Sequence, residues 1–175
     1  NKTVSMTVLK STFASPGSRY YIVMANNFVK DFLSDEPLTG ANWSFITENK
    51  SAENLGIAES VLTRLNINES NSFDKLSKSD KSLYLYNLSL ELSHSVPIDS
   101  SSIIAENHFQ WDKNVDNSQI LLKFRILPGN DNMKNLSVSK VIETINDLIT
   151  NRDVTMISGF LISSKLDSQY GFKPK

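Results

Sequence analysis

Apolar and polar positions alternate from residue 3 to residue 11, with Val4, Met6 and Val8 on one side and Ser5, Thr7 and Leu9 on the other, the pattern of a half-buried strand. After the break at Pro16-Gly17-Ser18, the residues Tyr21, Met24, Ala25, Phe28, Val29 and Phe32 recur at helical spacing as far as Pro37. That spacing predicts a helix. Residues 38–50 read as a loop in which Trp43 and Phe45 pin a short extended piece. Ser51 suits the N-cap of a second helix, with Leu55, Ala58, Leu62 and Leu65 as its stripe and Asn66 as its stop. Residues 67–82 are polar and serine-rich, a loop with one helical turn around Phe73 and Leu76.

From Ser82 to Val96 the residues Tyr84, Tyr86, Leu88, Leu90 and Leu92 share one parity, and Asn87, Ser89, Glu91 and Ser93 the other, which predicts a strand closed by Pro97. The stretch from Pro97 to Ser118 has no period and reads as a long polar loop. Ile120, Leu122, Phe124 and Ile126 then alternate with Leu121, Lys123 and Arg125 in a strand that stops at Pro128-Gly129. Residues 83–96 and 119–127 are expected to be antiparallel neighbours, with Leu88, Leu90, Phe124 and Ile126 buried together. A helix starts near Ser137 on Val138, Val141, Ile142, Ile145 and Leu148, and Val154 to Ser164 is apolar on both faces, as a central strand would be. These elements predict an α+β fold: a single domain over 1–175, with a four-stranded antiparallel sheet and helices packed on one face. The order is βαββαβ, the ferredoxin-like order, with an extra helix before the second strand.

Composition narrows the chemistry more than it names it. The 175 residues hold 39% hydrophobic and 21% charged side chains, enough apolar content for a folded core. The 18 basic and 19 acidic residues nearly cancel and form no long block, which argues against nucleic acid as a partner. No apolar run approaches a membrane span, so this segment is not expected to insert into a bilayer. With no cysteine, disulfides and thiolate metal sites are excluded. The start at Asn1 points to an excised piece of a larger protein, and an extracytoplasmic or cell-surface setting is favoured over the cytoplasm. Six glycines in no nucleotide-binding pattern leave little for a phosphate-cradling loop, and no cofactor is implied.

One constellation stands out in the polar stretch: Glu106, His108, Phe109, Trp111 and Asp112. Two aromatics flanked by polar groups are the composition of a binding hot spot, while an imidazole between two carboxylates has the makings of a metal or acid–base site. His94 reads as a strand-end residue half packed in the core. Asn-x-Ser/Thr triplets at Asn1, Asn42, Asn49, Asn68, Asn87 and Asn135 are candidate glycosylation sites, although asparagine and serine also gather in turns for backbone reasons. The leading expectation is a non-catalytic protein–protein interaction or assembly module binding through sheet edges and long loops. A metal-dependent or acid–base enzyme domain using 106–112 and a small-molecule-sensing regulatory domain are the alternatives.

Overall fold

A computed structural model describes residues 5–31, 34–48, 56–96, 98–115, 118–129 and 136–175. Its strands are β1 (Arg19–Met24), β2 (Ala41–Ile46), β3 (Glu59–Arg64), β4 (Ile103–Trp111), β5 (Ile120–Ile126) and β6 (Phe172–Pro174). Its helices are α1 (Ile67–Asp74), α2 (Lys78–His94) and α3 (Val138–Thr150). The architecture is α+β. Four strands form one antiparallel sheet in the order β4-β5-β3-β6, and β1 and β2 form a separate two-stranded ribbon.

The sheet sends alternate side chains into one core. Val61 and Thr63 of β3, Ile120, Leu122, Phe124 and Ile126 of β5, Ile103 of β4 and Phe172 of β6 are buried, and the apolar ones belong to the same cluster as the helix residues Leu85, Leu88, Leu92, Val141, Ile145 and Ile149. Antiparallel register places Val61 opposite Phe124 and Thr63 opposite Leu122. Of the other parity, Leu62, Lys123 and Arg125 are partly or fully exposed, while Leu121 is buried. Helix α2 lies against β4 and α3 against β6 and β5. The Glu91 carboxylate of α2 accepts the Ile162 and Ser163 N–H groups, at 3.1 Å and 2.6 Å, and so anchors the segment that leads towards β6.

Several sequence expectations fall here. Residues 82–94 form the body of α2, a helix and not a strand: the buried positions Leu85, Leu88, Ser89, Leu92 and Ser93 follow helical spacing, and Ser77 caps it by accepting from the Asp80 N–H. Leu88 therefore joins the core that holds Phe124 and Ile126 as a helix residue, and Leu90 lies half-exposed. His94 is the exposed last residue of that helix. The expected helix over residues 21–37 is replaced by β1 and its turn, because Tyr20, Ile22 and Met24 pair with Phe45, Trp43 and Ala41 of β2, the extended piece expected there. The expected helix from Ser51 lies partly outside the described residues, and its second half is β3.

Residues 67–74 are helical as α1, with Asn66 as N-cap rather than as a stop. The first expected strand falls partly on residues outside those described; its end is a 3₁₀ turn, Lys10–Phe13. Residues 154–164 pass through 3₁₀ turns in place of a central strand, since the polar Thr155, Ser158 and Ser164 there bond their own backbone. The strand over 120–126 and the helix from Ser137 stand as read.

The ribbon touches the rest of the chain through the 3₁₀ turn. Lys10 pairs with Glu143 of α3 at 3.2 Å and the Ser11 N–H donates to Asp147 at 2.8 Å. Phe13, Tyr20 and Phe45 pack edge-on and stacked at 5.0–5.8 Å, while Tyr21, Val23 and Trp43 stay exposed. Among the described residues no helix is long and apolar enough to cross a membrane.

Candidate functional site

The polar stretch that reads as a loop is a nine-residue edge strand, β4. Its alternation is hidden by a bulge. Ala105 stands opposite Phe124 and Phe109 opposite Leu122, so four steps along β4 match two along β5, and the excess falls on Glu106, Asn107 and His108. An excess of two keeps the parity. Ile103, Ala105, Phe109 and Trp111 thus pair with the core-facing residues Ile126, Phe124, Leu122 and Ile120.

This geometry draws Asp112 and Phe109 away from Glu106 and His108, which stay together beside Lys123. Glu106 bonds Lys123 across the sheet at 2.7 Å, and that contact holds its carboxyl below the usual range. His108 lies exposed beside Leu62, Gln110, Leu121 and Lys123. Phe109 turns the other way, meeting Phe73 of α1 edge-on at 5.2 Å with the Lys81 ammonium 5.0 Å from its ring centre. Phe109 and Trp111 nonetheless remain 40% and 41% exposed, so packing claims only part of each ring.

Asp112 is taken into a buried ion cluster at the strand end. Arg64 donates to Asp112 at 2.9 Å and to Asp167 at 2.9–3.0 Å, its guanidinium lying over the Tyr170 ring at 4.9 Å. The second negative charge is met by neutral donors: Gln119 Nε2 donates to Asp167 at 3.0 Å, and the Asn114 and Gln169 N–H groups donate to Asp112 and Asp167, each at 2.9 Å. The Asn114 N–H first, with Arg64 behind it and burial opposing, holds Asp112 below the ordinary carboxylate range. Burial works to raise Asp167, but Gln119, the Gln169 N–H and Arg64 outweigh it and hold that carboxyl low too. Arg64, Gln119 and Asp167 carry no local sequence signal, because the cluster exists only once β3 and β5 lie side by side. Among the described residues no group of three or more His, Asp or Glu side chains is arranged to hold a metal ion.

What β4 offers is its free side. The Leu127 N–H reaches the Ser102 carbonyl and the Asp112 N–H reaches the Gln119 carbonyl, so the even-numbered residues of β4 turn their backbone towards β5. Ala105, Phe109 and Trp111 consequently turn N–H and C=O groups away from the sheet. Alongside runs a groove of about 420 Å3 between β4 and α2, lined by Leu85, Tyr86, Leu90, Ile103, Ile104 and Ala105. It continues into a hollow of about 330 Å3 bordered by Lys78, Lys81, Asn107 and Phe109. Tyr86 is 60% exposed on its rim.

Of the sequon asparagines, Asn42 on β2 and Asn68 on α1 are exposed, and Asn87 on α2 is half-buried. Asn1, Asn49 and Asn135 lie outside the described residues. Comparison with protein-family models, curated proteins and solved structures finds no match to this chain.

Proposed function

We propose that this chain is a non-catalytic protein–protein interaction or assembly module that receives its partner on the β4 edge and the α2–β4 groove. The observation that carries this reading is the conjunction, along one sheet edge, of backbone donors that meet no partner among the described residues with exposed apolar rings. A docked strand would satisfy the first with main-chain hydrogen bonds and cover the second with its side chains, which is how strand addition gains both affinity and specificity. The capture of Asp112 by Arg64 and of Glu106 by Lys123 gives the acid–base alternative no comparable support. We read residues 59–174 as a ferredoxin-like arrangement, supported by the element order β3, α1–α2, β4, β5, α3, β6 and by a sheet order that places β3 between β5 and β6. The context we propose is the extracytoplasmic part of a surface or envelope protein. The exposed sequons at Asn42 and Asn68 support it, and a mass loss on N-glycosidase treatment of the secreted chain reads it directly.

The docking reading is tested by selecting displayed protein fragments on the purified chain and then competing the binders with variants. Binders should be lost with Phe109→Ala/Trp111→Ala and with Tyr86→Asp. Binding indifferent to these changes contradicts the reading.

A further inference from the structure

We propose that the occupant of the β4 edge is a second copy of this chain, the two β4 strands pairing antiparallel about a two-fold axis at Asn107. The proposal rests on the reading of β4 as a docking edge and adds the identity of its partner. Three features of β4 favour a copy of itself over an unrelated strand.

The first is the placement of the bulge. A straight foreign strand laid along β4 meets the irregularity at 106–108 in the middle of its path, and bulges ordinarily guard edges in this way. A second copy brings the same irregularity to the same point. The flat stretches Ile103–Ala105 and Phe109–Trp111 are of equal length on either side of Asn107, so each can face the other's counterpart. The second is backbone direction. The outward-facing residues Ala105 and Phe109 exchange places under rotation about Asn107, as do Ile103 and Trp111, which meets the pairing rule of an isologous contact.

The third is side-chain complementarity. The pairing sets Ala105 against Phe109, small against large, and Ile103 against Trp111. On the other face it sets the Glu106 carboxylate opposite the His108 imidazole of the second copy, and β4 holds no Lys or Arg to meet its own image. The exposed Tyr86, Ile104, Phe109 and Trp111 all lie on or beside this edge, so one contact shields them together.

The absence of native cysteine makes the register directly readable. Ile104→Cys and Gln110→Cys chains, differently labelled and mixed under mild oxidation, should form the mixed disulfide several-fold more than either forms its own, because these residues lie in the flat stretches either side of the bulge and opposed residues of a pair that does not share hydrogen bonds lie about 4.5 Å apart at Cα. Lys173→Cys on the far edge should form none above background. In sedimentation velocity the unmodified chain should pass from monomer to dimer with concentration. Ala105→Pro, which removes an outward N–H, should weaken the dimer at least tenfold. Asn107→Lys, which sets two like charges at the axis, should do the same and covers the case in which the proline variant fails to fold. A monomer at every concentration, a dimer indifferent to both substitutions, or disulfides without the 104–110 preference would overturn the proposal. A monomer that still binds selected fragments through β4 overturns the second copy alone, whereas one that binds neither overturns the docking reading as well.

Discussion

The two edges of the four-stranded sheet are built on opposite terms. β6 is three residues long, and its outward donors are already spent: the Phe172 N–H donates to Asn146 Oδ1 of α3 at 2.8 Å, and Pro174 has no N–H to offer. Lys173 and Lys175 add charge there, and a short, charged, proline-bearing strand is the usual protection of an edge. β4 is nine residues long, has no proline or lysine, and leaves the Ala105, Phe109 and Trp111 amides turned outward beside exposed apolar rings. One sheet therefore closes itself on one side and stays open on the other. The open side carries a cost in exposed apolar surface that a partner would relieve.

The largest effects should come from changes that undo both edges together. Phe124 lies fully buried on β5 and meets Phe172 of β6 at 6.0 Å, so Phe124→Ala should cost about 3–5 kcal/mol in denaturant unfolding and remove the distinction by loosening the whole sheet. Arg64→Met should cost about 3 kcal/mol, because it strands Asp112 at the end of β4 and Asp167 before β6 without their shared cation.

That cluster also fixes a pH signature. Both carboxyls titrate lower in the folded chain than in the unfolded one, so their contribution is present above about pH 4 and is lost as the pH falls through the folded values. Urea unfolding of the unmodified chain should weaken across that window. In Arg64→Met the acid loss from this pair should shrink, because the cation no longer favours the charged carboxyls, while the Asn114, Gln119 and Gln169 donors keep part of it.

A smaller effect sharpens the comparison. Asn146→Ala frees the Phe172 N–H and should cost about 1 kcal/mol, opening the β6 edge without altering β4. The smallest change in stability is expected of Ala105→Pro, at a position where no ladder bond is removed. Its melting temperature should stay near that of the unmodified chain while association is lost.

How far the sequence discloses this arrangement depends on how cleanly each element separates its faces. In α3 the buried residues Val138, Val141, Ile142, Ile145 and Leu148 form an uninterrupted stripe, and the helix is legible with its Ser137 cap. In α2 the leucines fit a period of two as well as one of 3.6. Ser82, Ser89 and Ser93 meanwhile satisfy their hydroxyls on carbonyls one turn back, which lets Ser89 and Ser93 sit on the buried face and blurs the stripe. β5 is legible because a strand paired on both sides alternates regularly.

β4 is not legible, since its bulge adds polar residues in mid-strand and its exposed edge lets both faces carry them. The hot-spot composition at Phe109 and Trp111 was visible, but the division of its polar neighbours was not. Arg64 and Asp167 are 103 positions apart and meet only through the sheet order.

Amide hydrogen exchange resolved by residue compares the two edges most directly. In dilute solution the Ala105, Phe109 and Trp111 amides should exchange far faster than the inward-turned Gln110 amide and the Phe172 amide held by Asn146, and they should slow as concentration rises. Protection of those three β4 amides in the dilute chain equal to that of Gln110 and Phe172 would contradict the account, because the edge would then already be closed.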